Sequence, residues 1–292
     1  MPDNFLIEEL AIFTTKISKL MQYKHNANRI FTEQHQKIQD THARLPEWSI
    51  YKRDGHPFHL FYRSPSSGVD ITASSERQKL EDQLEMNTLL RLKTYQWLLV
   101  DAYEAFENFL VSAYAHCGRE GIGIWEKPER WKHRINSKDI NHYKTEHKPF
   151  GQLNAFRRNS AHFVRYETHS PTGTNYKVTF ALIEKLRQCT VHYGGYSENL
   201  NQLTSKVQDS LKDEDRDAVG EYVKSHFIAH EKYNLIDLLE YPTFDEDGKP
   251  DGGYQDIASY YLTVLVEYAQ LIMESIQAHP VKPASMGFEP RL

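Results

Sequence analysis

The sequence predicts a mostly α-helical protein: a helical bundle fronted by a long N-terminal helix, with an irregular connector that has room for one short β-hairpin. Three observations carry this. Apolar residues recur at steps of three and four over long stretches, the period of an amphipathic helix. Hydrophobic residues make up 39% of the 292 residues and aromatic ones 12%, enough for a core, while charged residues stop at 26%. Glycine and proline, at 14 and 12, gather between the periodic stretches rather than inside them.

Residues 4–44 read as one long helix, with Leu6, Leu10, Phe13, Ile17 and Leu20 on a single stripe and Pro46 ending it. Residues 46–75 change character. Pro46, Gly55, Pro57, Pro65 and Gly68 punctuate short aromatic pieces such as Phe58-His59-Leu60-Phe61-Tyr62, a connector with a hairpin or strand. Ser74 or Ser75 then caps a second long helix, with residues 76–78 in its first turn and Gly118 as its stop. In it Leu92, Leu99, Tyr103, Phe106, Leu110 and Ala113 share one face, and Asp101, Glu104 and Asn108 the opposite one.

Residues 118–150 interleave Trp125 and Trp131 with Lys127, Arg130, Lys132, His133 and Arg134. That composition suits either a loop pinned to the core by its indoles or a surface for single-stranded RNA. A helix follows over residues 151–166, another over 179–193 and a polar one over 198–212. Residues 221–240 fit a strand followed by a helix without periodicity settling the matter. Residues 245–248 form a turn, and a last amphipathic helix covers 254–277. The expected organisation is a front end over residues 1–75, a helical domain over 76–279 and an irregular tail over 280–292, with no internal repeat.

The formal charge of −5 and pI near 6.3 exclude a global basic field, so any RNA-binding surface is a local patch. Two cysteines, Cys117 and Cys189, cannot build a disulfide framework or a four-cysteine zinc site. Asp3, Glu8 and Glu9 stand where a secretory signal needs basic and then apolar residues, and no run reaches the roughly 18 apolar residues of a membrane span. The expectation is a cytoplasmic protein without membrane contact.

The chemistry-bearing candidate is Leu186-Arg187-Gln188-Cys189-Thr190-Val191-His192-Tyr193-Gly194-Gly195. Arginine carries a fixed fork of donors suited to phosphate, and histidine exchanges protons near neutrality. On a helix Gln188 and His192 are neighbours at i and i+4, so the amide can hold the imidazole tautomer, with Arg187 to one side. Spacing alone fits equally well a surface arginine and a histidine favoured by the helix C-terminus. Arg157 and His162, in Phe156-Arg157-Arg158-Asn159-Ser160-Ala161-His162, repeat the five-residue step without a glycine stop. His226 and His230 lie at i and i+4 without an obvious third metal ligand, so no metal site or cofactor is expected.

The segment over residues 186–195 resembles the signature of HEPN-domain proteins, all-α nucleic-acid-associated modules marked by Arg, a polar residue that is usually Asn, three further residues and His, often followed by glycine. Here Gln188 stands in the asparagine position, keeping the amide but lengthening its reach. The likeness extends over about residues 76–278. It implies a metal-independent endoribonuclease, of the defence or toxin kind, that is active as a homodimer through the motif helix. Attack by the ribose 2′-hydroxyl on the adjacent phosphate would leave a 2′,3′-cyclic phosphate. In that scheme His192 is general acid and base, Arg187 stabilises the transition-state charge and Gln188 orients the imidazole. Asp101 or Glu104 supports the site from the long helix, and Arg157, Arg158, His162, Lys132 and Arg134 contact RNA phosphates. The alternative is a non-catalytic module of the same kind that binds RNA, a nucleotide or a protein partner such as an antitoxin.

Overall fold

The computed structural model describes residues 4–126, 139–144, 149–196, 199–227, 229–230, 234–245 and 249–279, with the side chains of Ser74, Ser75, His230 and Phe244 left aside. The chain is mostly α-helical, and its elements fall into two compact units. One comprises Met1–Met21 with Gln96–Leu292, the other Gln22–Tyr95. Two long helices, α1 (Asn4–Arg44) and α3 (Leu80–Arg119), contribute residues to both.

The smaller unit holds the connector. After α2 (Ile50–Asp54), strands β1 (His56–Arg63) and β2 (Asp70–Gln78) form an antiparallel hairpin whose register shifts between Leu60 and Phe61. The helix expected from Ser74 or Ser75 therefore begins later. Residues 76–78 pair with Phe58, Pro57 and His56 in the sheet, and α3 starts only where the Asp82 carboxylate accepts the Lys79 N–H at 2.8 Å. Strand pairing outcompetes serine capping here, because Ile71 and Thr72 are β-branched residues that fit a pleated ladder. Within this unit Asn87 Nδ2 donates to the Phe31 carbonyl at 2.9 Å, tying α3 to α1.

The larger unit is built on aromatic packing. Phe106 of α3 lies with its ring centroid 5.2 Å from Phe180 and 5.5 Å from Tyr268, and Phe13 of α1 packs at 6.1 Å on its other side. Phe180 belongs to α6 (Tyr176–Tyr193) and Tyr268 to α9 (Ile257–Gln277). All four of these rings are at most 3% exposed. Each such burial is worth roughly 1.5–3 kcal/mol before cavity and entropy terms, so this stack fixes α3, α6 and α9 against one another. The stripe read from the sequence (Leu99, Tyr103, Phe106, Leu110, Ala113) is buried as expected.

Between the long helices the chain is more broken than periodicity indicates. The single helix expected over 151–166 is two, α4 (Pro149–Asn159) and α5 (Ala161–Thr168). Ser160 leaves helical geometry at φ −126° and accepts the Phe163 N–H at 3.2 Å, an N-cap inside an apolar pattern. Helix α7 (Leu200–Ser210) is the polar helix expected, slightly shorter. The uncertain stretch resolves with its order reversed: α8 (Arg216–His226) is capped by Asp215, and the short strands β3 (Ala229–His230) and β4 (Leu235–Ile236) follow it. A second hairpin, β5 (Glu240–Phe244) with β6 (Pro250–Asp256), precedes α9, whose start Asp256 caps by accepting the Ser259 N–H at 3.0 Å. Among the described residues no helix is long and apolar enough to cross a membrane.

Candidate functional site

Helix α6 carries the motif, and both its ends are set by local chemistry. Asn175 caps the start by accepting the Val178 N–H at 3.1 Å. The glycine pair stops the helix: Gly194 turns left-handed at φ 64°, and the Gly195 N–H reaches back to the Cys189 carbonyl at 3.0 Å. Gly195 has a second reason to be glycine, since a Cβ there would lie 1.9 Å from Gln96 Oε1. Gln96, fully buried on α3, donates to the carbonyls of Ile236 at 2.9 Å and Gly195 at 3.4 Å. Ile236 N–H returns a bond to the Gly195 carbonyl at 3.0 Å, so the end of the motif helix is anchored to α3 and β4.

From this anchored helix the motif side chains leave in two directions. Gln188 and His192 line one cleft of about 450 Å³ between α6 and α7, together with Lys185, Cys189 and Tyr193 of α6 and Lys206, Asp209 and Ser210 of α7. His192 is exposed at the mouth, and the Tyr193 ring, 57% exposed, stands nearly perpendicular to the imidazole at 6.5 Å. Lys185, Gln188 and His192 are spaced i, i+3 and i+7, which puts them on one helix face.

Arg187 lines a different face and meets α3. Its Nη2 lies 3.8 Å from Glu104 Oε1, and its guanidinium carbon 5.6 Å above the Tyr103 ring. Its side chain is 26% exposed, and its buried Nε has no hydrogen-bond partner. Glu107, one turn along α3 from Glu104, completes the surroundings. Burial holds its carboxyl above the usual range. Arg187 opposes that shift, while Glu104 and Glu184 reinforce it with like charge. The guanidinium thus pairs loosely with Glu104 and lies in the field of the half-buried Glu107.

The structure therefore brings Gln188 and His192 together as the helical spacing indicates, and separates Arg187 from them. Of the two acids on the opposite face of α3, Glu104 reaches Arg187. Asp101 is exposed on a groove shared with Glu9, Ile12 and Lys16 of α1.

The second Arg-to-His step is built otherwise. Arg157 is 16% exposed and grips Glu167, itself 3% exposed, through Nε at 2.9 and 3.1 Å and Nη2 at 2.6 Å. The Tyr268 hydroxyl bonds the same carboxylate. Arg158 forms a two-point pair with Glu126 at 2.6 and 2.9 Å. His162 packs at 4.9 Å on Tyr166 and lies 4.0 Å from Glu274. Two of the arginines expected to contact phosphates, Arg157 and Arg158, are thus taken by carboxylates. Lys132 and Arg134 lie outside the described residues, whereas Trp125 is pinned as a loop anchor, its indole N–H donating to the Tyr143 carbonyl at 3.2 Å. His226 stacks on Tyr222 at 4.0 Å and bonds its own helix carbonyl, as a structural ring does.

Lys185, Lys206, Glu107 and Gln96 are not among the candidates that the sequence offers, while Tyr193 stands there only as part of the motif segment and Tyr103 only as a residue of the apolar stripe. Lys185 was within reach, since it shares the heptad-like face of Gln188 and His192. Lys206 and Gln96 arrive from other helices, where no local pattern points to α6. Comparison with protein-family profiles, with curated proteins and with solved structures finds no match for this chain.

Proposed function

We propose that the protein is an endoribonuclease of the kind its HEPN-like motif implies, with His192 as the proton-transferring group. One observation carries this reading: His192, with Gln188 one turn behind it, opens into a cleft whose walls also present Lys185 and Lys206. An exposed imidazole among cations is suited to a phosphodiester. The ribose 2′-hydroxyl oxygen bonds to the adjacent phosphorus as its proton passes to the imidazole. The bond from phosphorus to the 5′ oxygen breaks, and the imidazolium returns a proton to that oxygen, leaving a 2′,3′-cyclic phosphate. Gln188 holds the ring orientation.

Because Arg187 lies on another face of the same helix, a second copy of the chain completes the site, its Arg187 released from Glu104 to meet the negative charge on phosphorus. Such an activity suits a defence protein or toxin held in check by a partner. Purified protein incubated with total RNA in EDTA cuts it to fragments with cyclic ends, and His192→Ala lowers the rate by about 10²–10⁴-fold. Intact RNA, or equal cutting by the variant, rejects the mechanism.

One observation favours a second reading, a non-catalytic module that binds RNA, a nucleotide or a protein: Arg187 is already engaged by Glu104 and interacts electrostatically with Glu107. Binding without cleavage, unchanged in His192→Ala, selects it.

A further inference from the structure

We infer that the α6–α7 cleft takes single-stranded RNA, with one unpaired base stacked on Tyr193 and the adjoining phosphates between Lys185 and Lys206. The inference rests on the RNA reading of this cleft and goes beyond it by naming the strand state and the residue that senses it.

Tyr193 follows His192 directly, at the last position of α6, where the left-handed Gly194 turns the chain away and leaves the ring free of a following helical turn. Its exposure of 57% contrasts with Tyr176, the other tyrosine of α6, at 4%, and leaves much of the ring open to solvent. The ring is part of the cleft wall rather than an isolated surface residue. The cleft's charge also fits a nucleotide. Lys185 and Lys206 against Asp209 leave a formal +1 in a chain of −5. Asp209 is itself paired with Arg216 at 3.3 Å, and Lys185 lies 3.5 Å from Glu184. A volume of about 450 Å³ falls within the ordinary range of small-ligand pockets.

Stacking on an aromatic side chain requires a base that is out of its duplex. Every base has a π face, so such a contact selects strand state more than sequence. A paired A-form helix hides those faces and cannot use Tyr193.

The test measures fluorescence anisotropy of a labelled mixed-sequence RNA of about 12 nucleotides, single-stranded or annealed to its complement, on the full chain carrying His192→Ala so that no cutting intervenes. The single strand binds more tightly than the duplex. Adding Tyr193→Ala weakens single-strand binding by about 5- to 100-fold, Tyr193→Phe retains it, and Lys206→Gln flattens the salt dependence. Equal binding of duplex and single strand overturns the inference. So does a Tyr193→Ala protein, folded by circular dichroism, that binds as its parent does. A parent chain that leaves RNA uncut yet binds it through Tyr193 refutes the nuclease and leaves this inference standing. Cleavage indifferent to Tyr193→Ala does the reverse.

Discussion

Arg157 and Arg187 each precede a histidine by five residues, yet the fold puts them to opposite uses. Arg157 is closed into a buried pair: three contacts to a carboxylate that is 3% exposed, with the Tyr268 hydroxyl satisfying that carboxylate further. Arg187 meets its nearest carboxylate at 3.8 Å, that carboxylate is 53% exposed, and one of its own nitrogens is left without a hydrogen bond. The difference is not one of residue type or spacing. A guanidinium whose counter-charge is buried and geometrically matched belongs to the scaffold. One whose nearest counter-charge is loose and half in water is held far less tightly by the fold.

The contrast is broken most forcefully at Arg157. Arg157→Ala leaves Glu167 charged and buried without its partner, which costs about 3–5 kcal/mol in urea or thermal unfolding. Arg187→Ala costs about 1 kcal/mol in the same experiment, because the contact is loose at 3.8 Å and its carboxylate, 53% exposed, is screened by water. Equal losses at the two positions would erase the distinction.

A smaller effect sharpens it at Glu107, whose carboxyl burial holds above the usual range. A raised folded-state pKa means that the folded chain binds the proton more readily than the unfolded one. The associated stability is present at low pH and is lost as pH rises through the folded pKa. Glu107→Gln therefore stabilises the protein modestly at pH 7, and the advantage shrinks as pH falls through the carboxylate range. Melting curves across that range read the sign. A destabilised Glu107→Gln at pH 7 would show Glu107 to be a tight partner of Arg187, as Glu167 is of Arg157.

Much of this was legible in the chain before its structure. The first helix, its apolar stripe and the glycine stop after Tyr193 all follow from periodicity and backbone preference, which act locally. Gln188 and His192 share a cleft because i and i+4 share a face on any helix. What spacing did not reveal depends on other elements. Whether Arg157 or Arg187 is scaffold rests on Glu167, Glu104 and Glu107, carboxylates that tertiary packing delivers. Ser160 broke a helix that its neighbours' apolar pattern continued, because its hydroxyl offers the Phe163 N–H a cap in place of a helical carbonyl. Ile71 and Thr72 favour a strand locally, but residues 76–78 joined it because β1 was available to pair with them, a condition that no window over 76–78 contains.

Whether Arg187 of one copy serves the His192 cleft of another is decided by mixing two inactive proteins. Arg187→Ala and His192→Ala are each prepared alone, then combined in equal amounts under subunit exchange and assayed for RNA cleavage. Half of the dimers formed pair the two variants, and each of these holds one intact composite site of two, so the mixture regains about a quarter of the parent rate. A mixture no more active than either variant alone would contradict the shared site, because it would place Arg187 and His192 in the service of the same chain or of no reaction at all.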